Sequence, residues 1–237
     1  MLLLSMPVFS AKAQGVVLDW ARLVGGPSLD FGVSVATDNW GNVYTTGFFN
    51  DSIDFDPGPG ITKLGAVGNN DVFVTKFDAA GNFKWARAFG NNNDDKGFAI
   101  KTDDMGNVLV AGQFALTVDL NPGGTNGILT AGSFSDVFVA KYDSTGTLAW
   151  ARRVGSADPT DDIAYGLDVD GSGNVYVTGE YTDTADFDPG PGTANLIATG
   201  NSDVFITKLT ATGNVRSPVT GVHVADTYQV SRPHKRK

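Results

Sequence analysis

The 237-residue sequence has no cysteine, one glutamate and two histidines. Without thiols there can be no disulfides and no thiolate metal site, although large secreted β domains often need neither. Glu180 stands alone against 25 aspartates. Aspartate favours turns and glutamate favours helix interiors, so this imbalance argues against helices. His223 and His234 both lie near the C-terminus, which leaves the body of the chain without an imidazole base or a Ser-His-Asp set. No apolar run approaches the length needed to cross a bilayer. The formal charge of −9 disfavours nucleic acid as a partner, because phosphate binding needs a basic surface. Arg232, Lys235, Arg236 and Lys237 fall within the last six residues, and the rest of the chain carries −13 without them. So short a terminal basic run reads as a disordered end rather than a nucleic-acid tail.

Thirty glycines and ten prolines suit a fold of many short strands and turns. At the N-terminus, Leu2 to Phe9 is a short apolar run followed by Ala11-Lys12-Ala13. The small-x-small pattern predicts a signal peptide over residues 1–13, cleaved after Ala13, and hence a secreted, extracellular or cell-surface protein. An ordinary apolar N-terminal strand is the alternative, and the basic start of a typical signal is absent.

Self-similarity dominates the remainder. Trp20-Ala21-Arg22 returns as Trp85-Ala86-Arg87 and as Trp150-Ala151-Arg152, 65 residues apart each time. Asp71-Val72-Phe73-Val74-Thr75-Lys76 returns as Asp136 to Lys141 and as Asp203 to Lys208, the last interval lengthening to 67 through extra residues near Asp158-Pro159. Gly41-Asn42-Val43-Tyr44 matches Gly106 to Leu109 and Gly173 to Tyr176. Asp54-Phe55-Asp56-Pro57-Gly58-Pro59-Gly60 is repeated identically at Asp186 to Gly192 and in degraded form at Asp119-Leu120-Asn121-Pro122-Gly123-Gly124. Three units result, at about 16–84, 85–149 and 150–214, while 215–237 matches none of them and reads as a divergent, disordered or truncated tail.

In the first unit, strand-like runs rich in Val, Phe, Tyr, Thr and Trp cover Gly32–Thr37, Asn42–Phe48, Val72–Phe77 and Phe83–Phe89. Asp38–Asn42 and Asp78–Asn82 join them in pairs with tight-turn chemistry, which forces antiparallel neighbours. Both faces of Asp71–Asp78 carry apolar groups, as in a sheet sandwiched between two others. The predicted fold is therefore all-β: a β-propeller-like array of four-stranded antiparallel blades, about three of them, forming a partial propeller. Val16–Val24 could complete the last blade, but a three-bladed ring would be severely bent. Further blades in a longer chain, or association, would relieve that.

These motifs, taken in order over residues 16–214, resemble the bacterial SBBP beta-propeller repeat. The resemblance implies architecture and a secreted or surface location, and it brings no catalytic residues.

An up-and-down meander places alternate connections on one edge. Opposite the tight turns lie the inter-blade loops, with Asp30, Asp94, Asp95, Asp161 and Asp162, and the long within-blade loops, with Asp54, Asp56, Asp119, Asp186 and Asp188. Loops on a rigid scaffold commonly carry binding function. Clustered carboxylates suit Ca²⁺, for which the last five are the candidate ligands. The plainer reading, and the preferred one, makes Asp-Pro-Gly a turn starter. Trp40 sits in a tight turn without a repeat equivalent and is a candidate exposed contact, whereas Trp20, Trp85 and Trp150 read as packing. The leading expectation is a non-enzymatic structural or binding module with a protein or glycan ligand. A Ca²⁺-assisted binding module comes second. A polysaccharide-cleaving enzyme comes third, because these acids recur in every unit whereas an active site needs a unique set.

Overall fold

A computed structural model describes residues 17–156 and 160–215. The predicted signal peptide and most of the predicted tail lie outside the described residues. Fifteen strands and no helix are found among those described. Among the described residues no helix is long and apolar enough to cross a membrane.

The first blade contains β1 (Asp30–Thr37), β2 (Val43–Phe49), β5 (Asp71–Phe77) and β6 (Phe83–Phe89), hydrogen-bonded in that order and antiparallel. Between β2 and β5 a small hairpin of β3 (Ser52–Asp54) and β4 (Lys63–Gly65) stands apart from the main sheet. The second blade is β7 (Lys96–Thr102), β8 (Val108–Asp119), β9 (Ile128–Tyr142) and β10 (Leu148–Ser156). Here the corresponding hairpin is continuous with β8 and β9. The third blade has three strands, β11 (Ile163–Val169), β12 (Val175–Tyr181) and β15 (Asp203–Leu209). Its small hairpin, β13 (Thr184–Asp186) with β14 (Asn195–Ile197), pairs with β10 of the preceding blade through Gly155↔Asp186 and Ser156↔Ala185.

All four strands expected in the first unit are present, within two residues at their ends. The long loops conceal hairpins that sequence reading did not resolve, because three-residue strands are too short to show a period. Residues 17–24 form no strand and do not pair with β15, so the three units do not close on themselves among the described residues.

The first strands of successive blades pack on one another, β1 on β7 and β7 on β11, so they lie nearest the axis and β6 and β10 lie outermost. Blades stack face to face. Val72 and Val74 of β5 join Ile100, Val110, Phe138 and Tyr142 of the second blade in one buried cluster. Val137 and Val139 of β9 repeat this against Leu167, Val177 and Phe205 of the third. A third cluster, around Phe49, Phe55 and Phe73, fills the first blade's other face, where Val24 packs against it. The two-faced apolar pattern of Asp71–Asp78 is thus explained, since each face meets a different neighbour.

Candidate functional site

The tight-turn edge is built by one device used repeatedly. Asp38 Oδ1 accepts the N–H groups of Trp40 and Asn42, both at 2.9 Å, and its Oδ2 accepts the Asn42 side-chain amide at 2.7 Å. Asp78, Asp103, Asp143 and Asp170 do the same for the N–H groups two and four residues on. Thr210 substitutes through its hydroxyl in the last turn. Each turn needs a left-handed residue, supplied by glycine with φ between 75° and 81° in Gly41, Gly81, Gly106, Gly146, Gly173 and Gly213. These bonds stabilise the ionised carboxyl. Asp78 is drawn below its ordinary range by Lys84 and Asn82. Asp170 is lowered to about 2, chiefly by the Asn174 side chain.

Onto these turns the Trp-Ala-Arg motif locks the preceding outer strand. Trp85 donates its indole N–H to Ser144 O at 3.2 Å, and Arg87 donates Nε–H to Gly146 O at 2.8 Å. Residues two apart on a strand share a face, so Arg87 also lies over the Trp85 ring, 5.7 Å from its centroid. Trp150 and Arg152 repeat the clasp on Ala211 and Gly213, and Trp20 and Arg22 repeat it on Ala79 and Gly81. The tryptophans are inter-blade packing, as their repetition suggests. Trp40 is exposed and lies over Gly106 of the neighbouring turn, on the turn edge and not among the acidic loops.

The opposite edge carries the acidic loops. Asp54 Oδ1 accepts Asp56 N–H at 3.1 Å and Thr62 N–H at 2.8 Å, and Asp56 accepts Gly58 N–H at 2.8 Å. Asp186 and Asp188 copy this on Asp188, Ala194 and Gly190. Asp119 accepts Asn121 N–H at 2.9 Å. Each of the five carboxylates folds its own loop, as the turn reading expects. Among the described residues no three His, Cys, Asp or Glu come together in a way that could hold a metal ion.

The binding-face candidates divide. Asp30 accepts Gly26 N–H, and Asp94 bonds Asn70 at 2.7 Å and pairs with Lys96 at 2.9 Å. Burial works to raise Asp94, and Lys96 and Asn70 outweigh it to leave the carboxyl below its ordinary range. Asp161 accepts the Ser135 hydroxyl at 2.6 Å, beside a parallel bridge between the two residues. Asp95 and Asp162, expected on an acidic rim, are buried. They sit where a loop turns into the first strand of a blade and satisfy buried and half-buried N–H groups there. Asp95 serves Asn91 and Ala115 at 2.7 and 2.9 Å, and Asp162 serves Ser156 and Thr182 at 2.7 and 2.9 Å. Burial pushes Asp95 up to about 7, with the neighbouring Asp71 and Asp94 charges adding to it against the Ala115 and Asn91 bonds. Burial likewise raises Asp162.

Asp71 and Asp136 were not singled out in the sequence, although both open the repeated Asp-Val-Phe run. Both are buried and raised by burial, and Asp136 is held against Arg153. The available signal was an aspartate at the same strand start in every unit, where only its side chain can reach back to the loop.

Residues 19–47 and 149–188 match the SBBP family, a beta-propeller repeat. Parts of the first and third units are thus similar to an SBBP beta-propeller repeat. Both matched stretches begin at the Trp-Ala-Arg strand, so an SBBP unit in sequence is offset by one strand from a blade in space. An uncharacterized WD repeat-containing protein of Acanthamoeba polyphaga mimivirus is 24% identical, the match covering 79% of this chain and 15% of that protein. The regulatory protein FlaEY of Caulobacter vibrioides is 26% identical over 87% of this chain and 20% of its own length. The chain thus spans a fifth or less of these two relatives.

Proposed function

We propose that this chain is a non-enzymatic propeller segment of a secreted or surface-attached bacterial protein, a scaffold that presents its loop edge to a protein or glycan. The observation that carries this reading is the fate of the repeated carboxylates. Asp54, Asp56, Asp119, Asp186 and Asp188 on the long loops are each bonded to N–H groups of their own loop, identically in the first and third units. A general acid or nucleophile needs a carboxyl free to reach substrate and set apart from its copies. The relatives' names, one a WD repeat-containing protein and the other a regulatory protein, accord with an interaction scaffold. The apolar run and Ala11-Lys12-Ala13 support export.

The test is a turnover assay of the purified chain on a panel of bacterial and plant polysaccharides, run beside glycan-array binding. The expected result is no cleavage. Cleavage lost on Asp54→Asn or Asp186→Asn would overturn the proposal. Binding is expected to be metal-independent, so millimolar Ca²⁺ should leave the melting temperature unchanged. A Ca²⁺-dependent rise would replace this reading with the calcium-assisted one.

A further inference from the structure

The two ends of the blade array expose the two halves of the contact that joins its blades. On β5 and β9 the positions that face the next blade are sealed: Val72 and Val74 are each 0% exposed, and Val137 and Val139 are 1% and 0%. The same positions on β15, Val204 and Ile206, are each 77% exposed. At the other end, the position that faces the preceding blade is buried in the second and third blades, with Ile100 at 2% and Leu167 at 8% exposure, but Val35 of β1 is 64% exposed. One end lacks what the other displays.

A second mismatch falls at the same place. In the first two blades the third strand is flanked by a Trp-Ala-Arg strand, with Val74↔Arg87 and Lys76↔Trp85 in one and Val139↔Arg152 and Lys141↔Trp150 in the other. β15 has β12 on one side and no partner on its other side among the described residues. Leu18–Val24 has the matching sequence and no strand partner, yet its Trp20 and Arg22 already clasp the first blade's turn at Ala79 and Gly81. It is held as the outer strand of a preceding blade would be, with Leu18 and Leu23 77% and 88% exposed.

We propose that two copies of this chain join head to tail into one closed six-bladed ring, the Leu18–Val24 segment of each copy pairing with β15 of the other. The third blade of one copy packs on the first blade of its partner through Val204 and Ile206 against the Val35 face. Register carried over from the internal junctions places Val24 opposite Val204, Arg22 opposite Ile206 and Trp20 opposite Lys208. The three described blades of each copy make six on closure, within the roughly four to eight of ordinary propellers, and closure leaves no exposed patch to propagate a fibre.

Sedimentation of the full chain from nanomolar to high micromolar concentration should show a species of twice the 24.9 kDa chain mass. Val35→Lys and Ile206→Lys each alter a side chain exposed in the single chain, so both variants should keep the parental circular dichroism and sediment as monomers. Mixing the two should restore a dimer, because each copy retains one intact half. A monomer at every concentration would overturn the proposal, as would a dimer indifferent to these substitutions or a mixture that fails to recover. Polymers in place of dimers would overturn the two-copy ring. Independently of the lysine variants, Val24→Cys with Val204→Cys in the cysteine-free chain should yield oxidised, covalently linked pairs. An oxidised product of single-chain mass would mean closure within one copy and would contradict the assembly.

Discussion

Asp170 and Asp95 have the same side chain and opposite electrostatics. In the tight turn, N–H groups and the Asn174 amide surround an accessible carboxylate and hold Asp170 near 2. At the blade junction, burial outweighs two backbone N–H bonds and holds Asp95 near 7. The pH consequences have opposite signs. A lowered group such as Asp170 contributes stability that is present above the unfolded value of 3.8 and lost as pH falls through its folded value. A raised group such as Asp95 contributes stability that is full below 3.8 and lost as pH rises toward about 7. Thermal unfolding of Asp95→Asn should therefore shift in the variant's favour relative to the parent as pH rises from 4 to 7, because the amide carries no charge at any pH, whatever constant cost comes from the acceptor lost to Asn91 or Ala115. A constant difference across that range would contradict the assignment. Residue type revealed the turn aspartates, which precede glycine and asparagine in a known pattern. It could not reveal the buried ones, because aspartate at a strand start reads as surface until the loop folded over it is seen.

At the scale of elements, the tight turns hold the blades together as well as reversing the chain. Gly146 has φ of 81°, and a Cβ added there would lie 2.9 Å from the Trp85 ring. Gly146→Ala should cost about 2 kcal/mol in denaturant unfolding, combining left-handed strain of roughly 1–2 kcal/mol with displacement of the indole. It should also shift the Trp85 fluorescence toward that of an exposed indole, a change that strain alone would not cause. The long loops offer the opposite opportunity. Asp51, Leu116 and Asp183 take positive φ of 69°, 49° and 52° at the same point in the three units. Leucine tolerates this conformation poorly and asparagine well, and Leu116 is exposed. Leu116→Asn should raise stability by about 1 kcal/mol in the same assay; a loss would show that leucine makes a contact worth more than the strain. The four main strands of the first unit were legible because each has seven or eight residues of β-rich sequence bounded by turn residues. The hairpin strands at Ser52–Asp54 and Lys63–Gly65 have three residues each and gave no pattern.

For the whole molecule, the repeat spacing was enough to foresee blades, since a unit with apolar groups on both faces must stack on its copies. The inner position of β1, β7 and β11 emerges only from the packing of successive blades. So does the character of the two ends. Val204-Phe205-Ile206 reads like Val72-Phe73-Val74 and Val137-Phe138-Val139, and only the positions of the neighbouring blades show that one of the three sets is uncovered. The acidic loops lie opposite the tight turns, and their most regular carboxylates serve the backbone beneath them. The central claim is that the three units stack as successive blades of one array, and residue-resolved amide hydrogen exchange tests it most directly. Protection should be strongest in Asp71–Phe77 and in the Asp136–Tyr142 part of β9, recur with the repeat, and weaken at the shared tight turns. Protection confined to one unit, or without the repeat spacing, would contradict it.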